Sequence, residues 1–358
     1  MNQTYKHSTA VIRTACAIVF ILFTFLYLYY YQADLLAYSQ HVFSSGRTHY
    51  NHVVGATLIT LVLSLLSFGV WSVTKLDGAC HALVYFPSLL ALTVLTSAAP
   101  VSQQALRFPS WLWVAPVLLA LFIGFILFRR QSPLADHANY FNLMRVGWIN
   151  FMSLALMLLG VGLLSNHDNV VHFRLQAENN MKSQQFAKAL LAGKKSPDTD
   201  ESLTMLRVYA LSATHQLPEK LFTYPLKGGS KSMLPQPSGA HTLLLPAKDI
   251  VQQSRRDALN YQLCGALLDK NIDRFAQLVK AHELVNDSVK LPRHYAEALT
   301  LYTHLRSTPV VIYKHNVLET DYKDYQKVDR EATNERERKN RLRDTFGNTY
   351  WYYYQYGQ

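Results

Sequence analysis

Three histidines follow the first long apolar stretch of the chain. His41, His49 and His52 are separated by eight and three residues. Imidazoles bind metal ions and titrate near pH 6.5, so the chemistry on offer is metal coordination or acid sensing. A structural metal site needs several Cys or His ligands at short, fixed spacing, and this loop spacing defines none. We expect no metal and keep the three histidines as candidate binding residues, with polar interface residues as the simpler interpretation.

The cysteines and serines show no pattern of their own. Cys16 and Cys80 lie in apolar stretches and Cys264 stands alone in the second half, so a disulfide framework or thiolate cluster is excluded. A G-x-S-x-G hydrolase motif is absent, and Ser230 lies in a segment rich in Gly, Ser and Pro. We therefore expect no cofactor, and a binding protein rather than an enzyme.

Five apolar stretches before residue 166 must position these side chains. None contains Asp, Glu, Lys or Arg, and each approaches the ~20 helical residues that a hydrocarbon core about 30 Å thick requires. They are apolar on all sides, which is typical of helices in lipid. The sequence therefore predicts a transmembrane domain at residues 1–165, with spans at 14–31, 53–74, 79–99, 111–128 and 148–165. Pro87 and Pro116 fall inside spans, which predicts kinks there.

The charges divide the chain at the same place. Only 16% of all residues are charged, and few of these lie before residue 166. That first part holds eight of the 35 basic residues (Lys and Arg) and three of the 24 acidic residues (Asp and Glu). This distribution excludes a single soluble enzyme, a disordered tail protein and a disulfide-rich secreted module. Basic residues outside the spans favour a cytoplasmic N-terminus, because cytoplasmic loops are enriched in Lys and Arg. With the N-terminus inside, the cytoplasmic segments hold six basic residues and the opposite loops hold two: Lys6, Arg13, Lys75, Arg129, Arg130 and Arg145 against Arg47 and Arg107. We expect a multi-pass protein of the bacterial inner membrane whose residues 166–358 face the periplasm.

Residues 166–358 have helical periodicity almost throughout. The apolar spacing predicts helices over 173–191, from 201, over 217–222, and then over 271–284 and 292–305. Successive helices with short breaks are typical of a stack in which each hairpin covers the next. We predict a soluble, TPR-like helical-repeat domain, with an irregular helical bundle as the alternative. The fold class is therefore all-α, a five-span bundle followed by this domain.

The C-terminal segment combines a charged helix with a cluster of aromatic residues. Residues 319–344 carry charges of both signs, which indicates a solvated helix and not a nucleic-acid-binding patch. The last residues hold six aromatic side chains between positions 350 and 356. Packing of these rings on the helical stack is the preferred interpretation, and contact with the bilayer interface is the alternative.

Three segments resemble an uncharacterised family, a domain of unknown function in bacterial multi-pass inner-membrane proteins. They are YYYQADLLAYSQH at 29–41, KLPRHYAEALTLY at 290–302 and NTYWYYY at 348–354. The resemblance covers most of the chain and implies an N-terminal membrane region, a C-terminal helical-repeat region and no assigned activity. Members are longer than this chain, so the resemblance implies a shortened version and leaves the number of repeats open.

Asp34 is the one acid close after the first span. Its position resembles that of the catalytic Asp in the first outer loop of membrane glycosyltransferases that use lipid-linked donors, which implies a general base or metal ligand. Such enzymes usually have more than five spans, so a helix-end acid that meets water or Arg47 is preferred. We expect a membrane-anchored scaffold that binds a protein or polymer through residues 166–358. The alternative is an enzyme acting on lipid-linked saccharide with Asp34 as catalytic carboxylate.

Overall fold

The computed structural model describes residues 2–131, 143–285, 291–331 and 334–357. Lys290 lies outside these ranges, and the side chains of Lys6 and Arg130 are not among those described. The described residues are mostly helical, with a single short hairpin among them, so the all-α prediction is confirmed. The chain divides into two compact units, Met1–Asp168 (unit 1) and Asn169–Gln358 (unit 2).

Unit 1 contains, within the described ranges, five helical segments long and apolar enough to cross a membrane, as predicted: Ala10–Tyr31, His52–Thr74, Gly78–Thr96, Ser110–Arg129 and Met144–Leu164. Its elements are α1 (Asn2–Leu26) with a π-helical turn (Tyr27–Tyr31), α2 (Ala33–Phe43), α3 (His52–Thr74), a 3-10 segment (Gly78–Tyr85), α4 (Phe86–Thr96), β1 (Ala99–Ser102), β2 (Ala105–Arg107), a 3-10 turn (Ser110–Trp113), α5 (Val114–Gln131) and α6 (Leu143–Leu164).

The two prolines inside spans lie where the helix type changes, and the kinks expected at them stay a prediction. Pro87 lies in the first turn of α4, directly after the 3-10 segment, and Pro116 lies in the first turn of α5. Proline is tolerated at these positions because the first N–H groups of a helix have no intrahelical acceptor. Each proline therefore begins an α-helix inside its span. The break between Tyr85 and Phe86 is a change from 3-10 to α geometry.

Polar side chains join the ends of the first, third and fifth spans. Gln32 Nε2 donates to the carbonyl oxygen of Asn166 (3.2 Å), and Asn166 Nδ2 donates to that of Ala98 (3.0 Å). The hydroxyls of Thr96 and Ser165 are 2.7 Å apart. Because all these residues lie at the C-terminal ends of their spans, the odd-numbered spans of unit 1 run in the same direction and end together.

The β1–β2 hairpin sits beside α2 and was not predicted. Its strands pair antiparallel, with Ala99 opposite Arg107. The Tyr38 hydroxyl, on α2, donates to the carbonyl oxygens of Ser102 and Ala105, the latter at 2.8 Å. Tyr38 is completely buried, so this contact fixes the hairpin against α2.

Unit 2 is built from helices alone among its described residues: α7 (Asn169–Lys182), α8 (Phe186–Ala189), α9 (Glu201–Ala213), α10 (Leu217–Lys220), α11 (Ala247–Arg256), α12 (Ala258–Leu268), α13 (Ile272–Ala281), α14 (Arg293–Leu305), α15 (Asn316–Glu331), α16 (Glu335–Phe346) and α17 (Tyr350–Tyr356). Two predicted helices are divided. The one over 173–191 breaks between α7 and α8, and the one over 319–344 becomes α15 and α16, with residues 332–333 outside the description.

One turn geometry recurs at the C-terminal ends of α7, α9, α12 and α13. In each turn a residue other than glycine has a φ of 48° to 58°, and the N–H of the next residue bonds to the carbonyl five positions earlier; the residues are Gln184, His215, Lys270 and Glu283. This is the Schellman pattern, which satisfies the last carbonyls of a helix. After the first three of these turns the next helix begins two residues later. Unit 2 therefore contains successive helices that are joined by the same type of turn.

A buried carboxylate anchors the loop between α10 and α11. Glu178 is completely buried, and its oxygens accept backbone N–H groups from Leu243, Leu244 and Leu245 at 2.5 to 3.0 Å. Arg174 donates to the carbonyl oxygen of His241 (3.0 Å) in the same loop. The loop, which the sequence indicates only by its Gly, Ser and Pro content, is thus fixed in the core of unit 2.

The C-terminal aromatic residues pack on the helices of unit 2. Tyr350 and Trp351 are 0% and 2% exposed, and the Trp351 indole N–H donates to the carbonyl oxygen of Glu297 (2.8 Å). The rings of Tyr322 and Tyr325 lie 5.1 and 5.9 Å from the Trp351 ring. Of the two interpretations of this cluster, the structure supports packing.

Candidate functional site

Asp34 lies in the first turn of α2, next to the buried polar contacts that join the span ends. Its side chain is half-buried, between buried Ala33 and Leu35. An acid in the first turn of a helix interacts favourably with the helix dipole. This position agrees with the helix-end interpretation of Asp34 and leaves its catalytic role a prediction.

The three candidate histidines occupy separate positions in unit 1. His41 lies in the last turn of α2, with its ring against Gly46. His49 is exposed in the loop, and His52 begins α3 with its ring 5.8 Å from that of Tyr50. No group of three or more His, Cys, Asp or Glu side chains is arranged to hold a metal ion anywhere in the described ranges. The role of the three histidines as binding residues stays a prediction.

Unit 2 has an open cleft that the sequence did not indicate. It has a volume of about 570 Å³ and lies between the turns that end α7 and α9 and one face of α11. Its lining is mainly polar, with two aromatic rings at its base: Gln184, Phe186, Tyr209, Ala213, His215, Asp249, Gln252, Gln253, Arg256 and Asp257. Gln184 and His215 are the left-handed residues of two equivalent turns, so the repeated hairpin geometry presents both side chains to the same cleft.

One wall of the cleft is the polar face of α11. Asp249, Gln252, Gln253 and Arg256 recur at intervals of three and four residues, which places them on one side of a helix. Ile250 lies on the opposite side and is completely buried. The helix is therefore held by its apolar face while its charged and amide groups line the cleft.

The base of the cleft is aromatic. Phe186 and Tyr209 pack edge to face with ring centroids 5.7 Å apart. Burial raises the pKa of the Tyr209 hydroxyl; the charge of Asp249 raises it further and that of Arg256 opposes this. The phenol is thus protonated at neutral pH and close to the two charged side chains of α11 that line the cleft.

A chain of hydrogen bonds fixes Asp257 at one end of the cleft. Its Oδ2 accepts from Ser212 (2.7 Å), and its Oδ1 accepts from Asn260 Nδ2 (2.7 Å). Gln253 Nε2 donates to the Ser212 hydroxyl (3.1 Å), and the Tyr295 hydroxyl donates to Asn260 Oδ1 (2.9 Å). Both Asp257 oxygens are therefore occupied, so this carboxylate organises the cleft. Asp249, Gln252 and Arg256 are the side chains best placed to meet a ligand.

The comparisons with known proteins bear on part of this unit. A model for a family of unknown function (DUF6057) matches residues 251–357, which include most of α11 and all later helices. Neither the curated proteins nor the solved structures gave a match to the chain. The match confirms that the C-terminal part resembles an uncharacterised domain. It assigns no activity to that domain.

The cleft has a signal in the sequence that the apolar pattern concealed. Residues 249–257 read Asp-Ile-Val-Gln-Gln-Ser-Arg-Arg-Asp, with one apolar pair and otherwise polar side chains. Such a segment has no apolar stripe that would mark it as part of a core. The polar stripe at helical spacing predicts a helix with a solvent face, and only the fold shows that this face borders a concave surface.

Proposed function

We propose that the chain is a multi-pass protein of the bacterial inner membrane that presents unit 2, a TPR-like domain, in the periplasm to bind a partner protein. The observation that carries the proposal is the cleft between α11 and the two equivalent turns that end α7 and α9. Stacked helical hairpins bind extended segments on such concave surfaces. The excess of basic residues in short loops on one side of the spans supports the orientation.

The chemistry of the cleft suits a peptide segment. Gln184, Gln252 and Gln253 offer amide donors and acceptors that match a peptide backbone, and the open Asp249 and Arg256 pair with charged side chains of either sign. Phe186 and Tyr209 supply an apolar base for a buried side chain. Ligand sites usually combine apolar surface with a few polar groups that fix orientation.

Site-specific photocrosslinking in intact cells tests the proposal. The photoreactive amino acid p-benzoylphenylalanine replaces Gln252 in the full-length chain, and a matched variant carries it at Asp324, an exposed position on α15. We expect one adduct of defined mass at position 252 and none at 324. Adding Arg256→Glu to the variant with the crosslinker at position 252 reverses one charge on the α11 wall of the cleft. This second change should remove the adduct.

Two results would contradict the proposal. Equal adducts at positions 252 and 324 would show contact without a specific site, and no adduct at 252 would leave the cleft without a partner. Trypsin added to intact spheroplasts tests the orientation separately. If residues 166–358 are cleaved only after lysis, the periplasmic assignment is wrong.

A further inference from the structure

A tryptophan near the C-terminal end of the second span is associated with two cations. Arg13 Cζ lies 5.3 Å and Lys75 Nζ lies 5.1 Å from the centre of the Trp71 ring. Both distances are within the range of cation–π attraction. Arg13 belongs to the first span and Trp71 to the second, and Lys75 ends α3 with a left-handed backbone (φ 52°). The fold thus brings two charges from separate spans to one indole.

A single acid serves this cluster. Asp77 Oδ1 accepts from Arg13 Nη2 (2.6 Å) and from the Trp71 indole N–H (3.3 Å). The side chains of Arg13 and Asp77 are 34% and 46% exposed, and Lys75 is exposed. Lys75 forms no ion pair among the described residues. The cluster therefore has a net positive charge, with an unneutralised ammonium beside an aromatic ring.

The surroundings of the cluster belong to a membrane surface. The second span ends at Thr74 and the third begins at Gly78, so Lys75 and Asp77 lie in the short connection between two spans. Alternation of the spans brings the end of α5, with Arg129, and the start of α6, with Arg145, to the same side. Basic groups between transmembrane helices at this depth are typical of sites for anionic lipid headgroups. Tryptophan prefers the same zone.

We propose that Arg13, Trp71 and Lys75 form a binding site for the phosphodiester of an anionic phospholipid headgroup. The phosphate oxygens accept from the Lys75 ammonium and from the exposed part of the Arg13 guanidinium. Trp71 holds both cations in place, and Asp77 limits the positive charge by occupying one side of Arg13. This site is independent of the cleft in unit 2.

Native mass spectrometry of the full chain released from neutral detergent measures the binding. Phosphatidylglycerol is titrated against the parent chain, Lys75→Gln, Asp77→Asn and the control Arg47→Gln, which changes an exposed arginine at the other end of the first two spans. A basic residue near an anionic surface contributes about 1 kcal/mol, which corresponds to roughly fivefold in affinity. We expect Lys75→Gln to weaken binding about fivefold and Arg47→Gln to leave it unchanged.

Asp77→Asn distinguishes a binding role from a structural one. It removes the only acid of the cluster, so binding should strengthen, whereas loss of a purely structural contact would weaken binding or leave it unchanged. Phosphatidylcholine and inorganic phosphate in excess are the further arms, and neither should compete if the lipid is the ligand. Equal affinity of all four proteins would overturn the proposal, and so would full competition by inorganic phosphate or equal binding of phosphatidylcholine.

Discussion

Replacement of Trp351 by alanine tests whether the C-terminal helix is part of the core of unit 2. The side chain is 2% exposed and contacts two tyrosine rings. Truncation of a buried Phe or Trp to Ala costs about 3–5 kcal/mol. For a unit of 150–250 residues each kcal/mol lowers the melting temperature by roughly 2–4 °C, so the expected decrease is roughly 6–20 °C. Trp351→Phe keeps most of the packing but loses the indole bond to Glu297, which costs about 1 kcal/mol.

Cys264 provides an assay that reports on unit 2 alone. Its thiol is completely buried in the core of this unit, and a background with Cys16→Ala and Cys80→Ala leaves it the only cysteine. Labelling by a fluorogenic maleimide during a temperature ramp then follows exposure of that core. The matched control is Val317→Ala, at a position 61% exposed on α15. If Trp351→Ala labels at the same temperature as the control, the aromatic cluster does not stabilise unit 2 and the packing argument fails.

Three further predictions concern Cys264, Glu178 and Asp34. Burial raises the pKa of the Cys264 thiol from 9.0 to about 12, so native protein should resist iodoacetamide at pH 9. Because the unfolded thiol ionises first, the shift leaves the stability of unit 2 unchanged below pH 9 and should lower it in thermal melts as the pH rises from 9 towards 12. Glu178→Gln leaves one uncharged amide oxygen for the three N–H groups that Glu178 Oε2 accepts, and it places an amide NH2 group beside the Leu243 N–H. The substitution should lower the free energy of unfolding by about 2 kcal/mol and therefore the labelling temperature, while Asp324→Asn should change neither measurably. Asp34→Asn should leave growth unchanged in a strain that depends on the protein, whereas loss of growth with normal protein levels would favour the enzyme hypothesis.

The sequence predicted most of what depends on apolar content and helix signals. Apolar runs long enough to cross a bilayer identified all five spans to within a few residues. The helix predicted from residue 201 is α9, and the carboxylate of the preceding Asp200 accepts the Leu203 N–H (2.6 Å). These features depend on near neighbours in the chain. The helix boundaries at Ser183–Gln185 were missed because glutamine replaces the glycine that normally marks a left-handed turn.

Contacts between residues far apart in the chain could not be predicted from the spacing of apolar residues. The partners of Glu178 lie more than sixty positions away, and those of Tyr38 lie in a hairpin that follows the third span. The cleft combines segments from α7 to α11 whose individual patterns are ordinary. The candidate histidines stay a prediction, because their spacing along the loop specifies no common ligand.

The recurrent turn of unit 2 has a consequence for how its hairpins diverge. A left-handed residue with a side chain is less favourable than glycine at the same place, yet all four turns retain one. The backbone of the turn is therefore constant while its side chain varies. Gln184 and His215 line the cleft. Lys270 instead donates to the carbonyl oxygen of Gly357 (2.7 Å) and secures the C-terminal helix. A single substitution at such a corner changes what a hairpin touches without altering how it folds, so recognition can evolve separately from architecture.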